Sequence, residues 1–225
     1  GPVLAALRQA LLARASRMVA LGLGHLSFDR AAATLSAGEA KRLRLAAHLT
    51  GGLSGALNAL DEPTLGLHPE NRTGMRSMLD ELVASGNTLA VVEHDPDMVR
   101  CADTVVALGP GEGPHGGEIV GSGPGADWEL GELGEGDLAR KLTSAAGTAD
   151  GAGTIELRGA TLHNLRSADL TIELGRFQVV IGPSGAGKTS LVLGTLLPAL
   201  RGARGGPFQA LEVPPGVRVE AVDAR

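Results

Sequence analysis

The chain has 225 residues and a formal net charge of −5, because 25 acidic residues outnumber 20 basic ones. This balance excludes a general electrostatic attraction to nucleic acid or to an anionic membrane, although a local basic face remains possible. The single cysteine excludes an internal disulfide framework and any zinc site built from cysteine pairs, so we expect a reducing compartment, the cytoplasm. Aromatic residues make up only 2% of the chain, and the core is therefore expected to consist of Ala, Leu, Val and Ile.

The first part of the chain predicts alternating helices and strands. Residues 3–21 carry apolar side chains at helical spacing, which predicts an amphipathic helix. Arginines interrupt this pattern, so it is neither a signal peptide nor a membrane span. Further helices are predicted at 39–49, 69–85 and 96–101, and strands at 56–60, 88–92, 103–108 and 117–121. This alternation predicts an α/β fold with a mainly parallel sheet.

A small-residue stretch divides the chain. Residues 144–153 read SAAGTADGAG, a composition typical of a flexible linker, and we place a boundary there between residues 1–143 and 154–225. Because the chain begins with Gly1 and ends in the strand-like VRVEAVDAR, we expect it to be a piece of a longer protein. The second part predicts strands at 154–158, 169–174 and 177–181, and then a helix from Lys188 to about Leu197.

The second part contains a phosphate-binding loop. Residues 182–189, GPSGAGKT, match G-x-x-x-x-G-K-[ST] directly after the strand FQVVI and before a helix, the context that the motif requires. In such a P-loop, backbone N–H groups and the helix N-terminus surround phosphate oxygens. Lys188 reaches the outer phosphates, and the Thr189 hydroxyl is available to Mg²⁺. The predicted ATP-binding residues are Gly182, Pro183, Ser184, Gly185, Ala186, Gly187, Lys188, Thr189 and Ser190.

Two predicted strands of the first part end in polar residues. The strand at 56–60 runs into Asp61 and Glu62, where Asp61 could hold Mg²⁺ and Glu62 could polarise an attacking water. An isolated pair of this kind is more simply a solvated acidic turn. The pair is not isolated, because the strand at 88–92 also ends in a polar cluster, in which His94 could contact a terminal phosphate.

Three segments resemble motifs of the ATP-binding-cassette ATPases. LSAGEAKRLRLA resembles their signature, LDEPTLGLHP their Walker B motif and D-loop, and VVEHD their switch histidine. The phrases GLGHLSFDR, GNTLAVVEHD, GPGEGPHGGEIV and LRGATLHNLRSADLTIELG further resemble the UvrA family of excinuclease ATPases over about residues 20–200. The resemblance implies a P-loop NTPase fold that uses ATP and Mg²⁺, with Glu62 and His94 as catalytic residues. It assigns the signature to Leu35, Ser36, Ala37, Gly38 and Glu39.

The order of the motifs excludes a single intact cassette. A cassette runs from P-loop to signature, Walker B and histidine, whereas here the signature precedes the P-loop. UvrA-like proteins carry two cassettes in tandem. The resemblance therefore implies that residues 1–143 end the first cassette, that 144–153 are a linker and that 154–225 begin the second.

The resemblance also implies how ATP sites are shared. Family members pair their sites head to tail, so Ser36 and Gly38 would face ATP held by Lys188. Asp61, Glu62 and His94 would serve another site, and this chain alone would bind nucleotide weakly and hydrolyse it poorly. Alternatively, the P-loop strand joins the sheet of the first part, which gives a circularly permuted cassette in which Glu62 meets Lys188; connectivity permits both arrangements.

The implied function is ATP binding and hydrolysis in a DNA damage-recognition protein of nucleotide excision repair. DNA would be bound largely by parts of the parent protein outside this chain. Other repair subunits, a homodimer of the full-length protein and the absence of a membrane partner are further expectations. Ala37 replaces the usual glycine of the signature, which puts a methyl group where backbone approaches phosphate and points to reduced activity or a divergent paralogue. Two alternatives stay open: a UvrA-like ATPase of drug resistance or export, and a non-catalytic nucleotide-binding module.

Overall fold

The computed structural model describes residues 2–48, 54–128, 153–203 and 205–222. The strands are β1 (Ala56–Asp61), β2 (Thr88–Val92), β3 (Thr104–Gly109), β4 (Glu118–Gly123), β5 (Thr154–Ala160), β6 (Ala168–Glu173), β7 (Phe177–Ile181), β8 (Ala210–Glu212) and β9 (Arg218–Val222). The helices are α1 (Pro2–Ala20), α2 (Ala37–His48), α3 (Pro69–Ala84), α4 (Pro96–Arg100) and α5 (Leu197–Leu200), with a π-helical segment at Ser190–Leu196. Short 3₁₀ turns lie at Ala32–Thr34, Gly113–His115 and Gly125–Asp127.

A six-stranded sheet organises the molecule, in the order β4-β3-β7-β2-β1-β9. All its neighbouring pairs are parallel except β3 and β4. Every residue of β2 and of β7 is buried, as expected for strands that are covered on both faces. The predicted α/β fold with a mainly parallel sheet is confirmed.

This sheet unites the two parts that the sequence separates. β7, which leads into the P-loop, lies between β2 and β3. This is the strand pairing expected of the permuted arrangement, whereas the assignment of the two parts to a first and a second cassette stays a prediction. β2 and β3 do not pair with each other in this sheet. The apolar strand β7 lies between them and pairs with both, so the P-loop strand completes the sheet of the first part. The predicted linker lies outside the described residues except for Gly153.

Two layers cover the faces of the sheet. On one face, α2, α3 and α4 contribute buried residues such as Leu45, Met75 and Met98. On the other face, the antiparallel sheet β6-β5-β8 and the π-helical segment contribute residues such as Ile155 and Leu191. Fully burying an aliphatic side chain of this size stabilises the fold by about 2 kcal/mol, so both faces contribute to holding the sheet together.

The helix after the P-loop is wider than the predicted α-helix. The Leu197 N–H donates to the carbonyl of Val192, five residues earlier, instead of four. Pro198 follows, and it has no N–H to donate to the carbonyl of Gly194. The chain returns to α-helical geometry at Leu197–Leu200. Segments of this π type occur frequently at functional sites.

Helix α1 has the predicted apolar stripe but leaves most of it exposed. Among the described residues, none within α1 is buried, and Leu4, Leu7 and Leu11 are 70%, 57% and 55% exposed. Met18, near the end of the helix, packs against the core while only partly buried, and the fully buried Leu21 follows the helix. No helix within the described ranges is long and apolar enough to cross a membrane.

Candidate nucleotide-binding site

The P-loop follows β7 and bends through positions that only glycine tolerates. Gly187 has a φ of 104°, and a Cβ there would lie 2.9 Å from Leu165 Cδ2. Gly182 has a φ of 145°, and its Cβ would collide with the Leu108 carbonyl oxygen. The glycines of the motif therefore serve the turn itself as well as any bound phosphate.

Lys188 extends back along the P-loop. Its Nζ donates to the carbonyl oxygens of Gly182 at 2.9 Å and Pro183 at 2.8 Å. Partial burial lowers the pKa of Lys188, whereas the nearby charges of Glu62 and Asp61 act in the opposite direction. The site thus has a half-buried amine next to two carboxylates.

An open cavity of about 560 Å³ lies over the P-loop. Glu62 and His94 line it together with Lys188, although the tandem-cassette interpretation assigned these two residues to another site. Of the predicted P-loop residues, only Ala186 does not line the cavity, and it is buried. The lining residues are Glu62, His94, Asn164, Gly182, Pro183, Ser184, Gly185, Gly187, Lys188, Thr189 and Ser190.

Asp61 and Thr189 meet at the edge of this cavity. The Thr189 hydroxyl lies 3.4 Å from each carboxylate oxygen of Asp61, a long contact from the end of β1 to the start of the helix after the P-loop. Carboxylate and hydroxyl oxygens are the hard ligands that Mg²⁺ prefers. The chemistry of this pair therefore fits the predicted metal-associated role.

Glu62 stands in a strained backbone conformation directly after β1. Its φ is 44°, which is uncommon for a residue other than glycine, and its N–H donates to the Val92 carbonyl at 2.8 Å. Its Oε1 lies 3.7 Å from His94 Nδ1. Strain of this kind persists only where the surroundings hold it, and it clusters at functional sites.

Two segments outside the motif hold the P-loop from one side. The Gly113 and Gly117 N–H groups donate to the carbonyls of Gly185 and Ala186, at 3.1 and 3.0 Å. Asn164 Nδ2 donates to the Gly185 carbonyl at 2.9 Å and to that of Gly113 at 3.1 Å. We call residues 113–117 together with Asn164 the P-loop clasp. Sequence reasoning did not identify Asn164, and its only signal was its place within the UvrA-like phrase LRGATLHNLRSADLTIELG.

The signature segment lies elsewhere and forms a capping box. The Glu39 N–H donates to Ser36 Oγ at 3.2 Å, and the Ser36 N–H donates to Glu39 Oε2 at 2.7 Å. The hydrogen bond from His25 and those from Ser36 lower the pKa of Glu39 to about 2. Among the described side chains of residues 35–39, none lines the P-loop cavity, so the expected contact of Ser36 and Gly38 with this nucleotide site is not present within the chain.

Comparisons with known proteins give a consistent set of relatives. No protein-family model matches the chain. It is 42% identical over 214 residues to UvrABC system protein A of Thermus thermophilus, covering 90% of this chain and 22% of that protein. It is 40% identical over 216 residues to UvrABC system protein A of Deinococcus radiodurans, covering 91% of this chain and 21% of that protein. The chain thus spans about a fifth of the length of these curated relatives. Among solved structures, UvrA2 from Deinococcus radiodurans is 41% identical and covers 88% of this chain and 25% of that one, with a TM-score of 0.49.

Proposed function

We propose that this chain, which is 40–42% identical to UvrABC system protein A over about a fifth of that protein's length, is part of a UvrA-like ATP-binding-cassette ATPase that binds MgATP and hydrolyses its terminal phosphoanhydride bond. The observation that carries the proposal is that Lys188, Glu62 and His94 line one cavity. A phosphate anchor, a carboxylate base and a polar side chain near the reacting phosphate are the parts that phosphoryl transfer requires. The cavity volume of about 560 Å³ is in the range of small-molecule sites.

The P-loop supplies the binding energy for the phosphates. Its backbone N–H groups and the start of the following helix attract anionic oxygens, and Lys188 adds a full positive charge. Lys188 would exchange its bonds to the Gly182 and Pro183 carbonyls for bonds to phosphate. The phosphate oxygens carry a full negative charge, whereas the carbonyl oxygens are neutral dipoles, so this exchange favours the bound state.

Thr189 and Asp61 are the residues that would hold Mg²⁺. The metal ion, when bound, neutralises negative charge that develops on the phosphate oxygens. The protein's part is to orient its two oxygen ligands, and the pairing of β1 with β2 and of β2 with β7 places these ligands at one edge of the sheet.

Glu62 and His94 act on the hydrolysis step. The Glu62 carboxylate orients a water and accepts its proton as that water attacks the terminal phosphorus. His94 contacts the transferred phosphoryl group, and its ring lies close enough to Glu62 for the two side chains to influence each other. The strained backbone of Glu62 aims the carboxylate into the cavity without a further change of conformation.

In the parent protein, this ATPase would serve DNA damage recognition in nucleotide excision repair. The names of the relatives support repair over the drug-resistance alternative. DNA and other repair subunits would bind largely through parts outside this chain, in agreement with its net charge of −5. Because no described signature side chain lines the cavity, the signature would meet ATP held by another cassette, in a homodimer of the full-length protein or in a second copy.

Calorimetry with ATP and Mg²⁺, together with phosphate release, tests this proposal. Lys188→Ala should weaken ATP binding by about 100-fold, because a charged hydrogen bond contributes up to about 3 kcal/mol. Glu62→Gln should keep binding and lose turnover by about 100-fold or more. Arg201→Ala, which removes an exposed cation, should change neither quantity. Turnover that is independent of Glu62, with binding that still needs Lys188, would favour two separate half-cassettes and contradict the shared cavity.

A further inference from the structure

Glu93 is a buried carboxylate to which the proposed hydrolysis assigns no role. It lies directly after β2, immediately before His94, and is 0% exposed. Its own N–H donates to the Val180 carbonyl of β7 at 3.2 Å. Carboxylates are almost never fully buried unless they have polar partners, so we expect hydrogen-bond donors around the Glu93 side chain.

Both oxygens of Glu93 accept hydrogen bonds, and each oxygen serves a different turn. Oε1 accepts from the Thr64 N–H at 2.9 Å and also from the Thr64 hydroxyl. Oε2 accepts from the N–H groups of His94 at 2.8 Å and Asp95 at 3.2 Å. All four partners are donors, an arrangement that suits a carboxylate, which only accepts.

The two turns are those that carry the proposed catalytic side chains. Thr64 follows Glu62 by two residues, with Pro63 between them, so fixing Thr64 restricts the turn that aims Glu62. The bond to the His94 N–H restricts the turn that aims the imidazole. The Glu93 side chain therefore links the turns that carry Glu62 and His94, whose side-chain atoms are 3.7 Å apart, in addition to the backbone hydrogen bond from the Glu62 N–H to the Val92 carbonyl.

We propose that Glu93 is a positioning residue that couples the turn after β1 to the turn after β2, so that Glu62 and His94 move as one unit. This inference rests on the proposed hydrolysis only for its functional consequence. The coupling itself is a property of the fold.

The substitution Glu93→Gln tests the hydrogen bonds of Glu93 separately from the volume of its side chain. Glutamine has nearly the same volume as glutamate, but one of its two ends is an NH₂ group, which donates. Whichever way the amide turns, backbone N–H groups on one of the two turns face a donor. Glu93→Gln therefore removes the hydrogen bonds to one of the two turns with little change in packing.

The kinetic arm measures phosphate release by the whole chain at several ATP concentrations. We expect Glu93→Gln to lower kcat by about ten-fold or more and to leave KM within about two-fold, because misplacing a reacting group affects the reaction step more than binding. Thr64→Val removes the hydroxyl and should lower kcat in the same direction. The matched control is Thr88→Val, at a buried threonine at the other end of β2 whose hydroxyl accepts a hydrogen bond from the Gly175 N–H.

The second experiment, amide hydrogen exchange, does not require the chain to hydrolyse ATP. Amide hydrogen exchange at His94 and Asp95 should speed up by about three-fold or more in Thr64→Val, although the substitution lies on the other turn, and should not change in Thr88→Val. Unchanged exchange at these two amides, or an unchanged kcat in Glu93→Gln, would overturn the proposal. If the unaltered chain binds no ATP, the proposed function fails, and the exchange result alone then decides whether Glu93 couples the two turns.

Discussion

The P-loop and the signature segment carry complementary parts of a nucleotide site, but they are held in place by different contacts. The P-loop carbonyls of Gly185 and Ala186 accept hydrogen bonds from the clasp, whose residues lie far away in the chain. At the signature, Ser36 and Glu39 hydrogen-bond to each other, and His25 and Arg30 contact Glu39 from a short distance along the chain. The P-loop therefore depends on the completed fold, whereas the signature helix can begin as soon as its own first turn forms.

The largest expected effect comes from breaking the clasp at Gly117. This residue has a φ of 88°, and a Cβ would collide with the Asn164 carbonyl oxygen. Gly117→Ala should lower the free energy of unfolding by about 3 kcal/mol, because backbone strain and a clash with backbone add together. Urea unfolding followed by circular dichroism measures this value.

Gly113→Ala is the matched control for that substitution. Gly113 lies in the same clasp with a φ of 52°, but a Cβ there would meet no described atom within 4 Å. Only the left-handed conformation then opposes the substitution, at about 1 kcal/mol. Equal losses of stability in the two variants would show that close packing of the clasp against Asn164 does not contribute.

A smaller effect is expected at the signature. Ser36→Ala removes the side-chain half of the capping box and should lower the free energy of unfolding by about 1 kcal/mol. Ser77→Ala, at an exposed position within α3, should leave stability unchanged or raise it slightly, since alanine favours helix interiors. Thermal unfolding of both variants checks this, and a Ser36→Ala protein as stable as Ser77→Ala would contradict the local origin of the helix start.

The smallest effect is the pH dependence at Glu39. The hydrogen bond with His25 is the largest cause that lowers the pKa of Glu39 from its ordinary value of 4.5 to about 2. A lowered folded-state pKa means that the carboxylate stabilises the fold above pH 4.5 and loses this contribution as the pH falls through about 2. The difference in unfolding midpoint between the unaltered chain and Glu39→Gln should therefore shrink between pH 5 and pH 2. His25→Ala should reduce that pH dependence. If the unfolding midpoints of the unaltered chain and of Glu39→Gln change equally with pH, the lowered pKa of Glu39 does not contribute to stability.

Local parts of the fold could be predicted from the sequence. The P-loop was recognisable because GPSGAGKT stands between an apolar strand and a helix, and the mainly parallel sheet followed from alternating strands and helices. The stripe on α1 was also recognised correctly, but helical periodicity does not show whether a face is buried. The described structure leaves most of that stripe exposed, with Met18 partly buried against the core.

The assembly of the site could be stated from the sequence only as one of two alternatives, because it depends on which strands become neighbours. Periodicity identifies β7 as a strand and says nothing about its insertion between β2 and β3. Asn164 and Glu93 were missed for the same reason. Their partners Gly185 and Thr64 lie on segments distant in sequence, and no spacing rule connects them.

The position of β7 has a consequence for how the protein is made. β2 and β3 leave the ribosome one after the other, yet the strand that joins them is synthesised much later, at residues 177–181. Until then the nascent chain carries two apolar strand edges with a gap between them, the type of surface that invites association with other chains. Pairing across so many residues also makes folding slow. The same insertion that brings Glu62 to Lys188 therefore makes the formation of the site wait for the synthesis of residues 177–181.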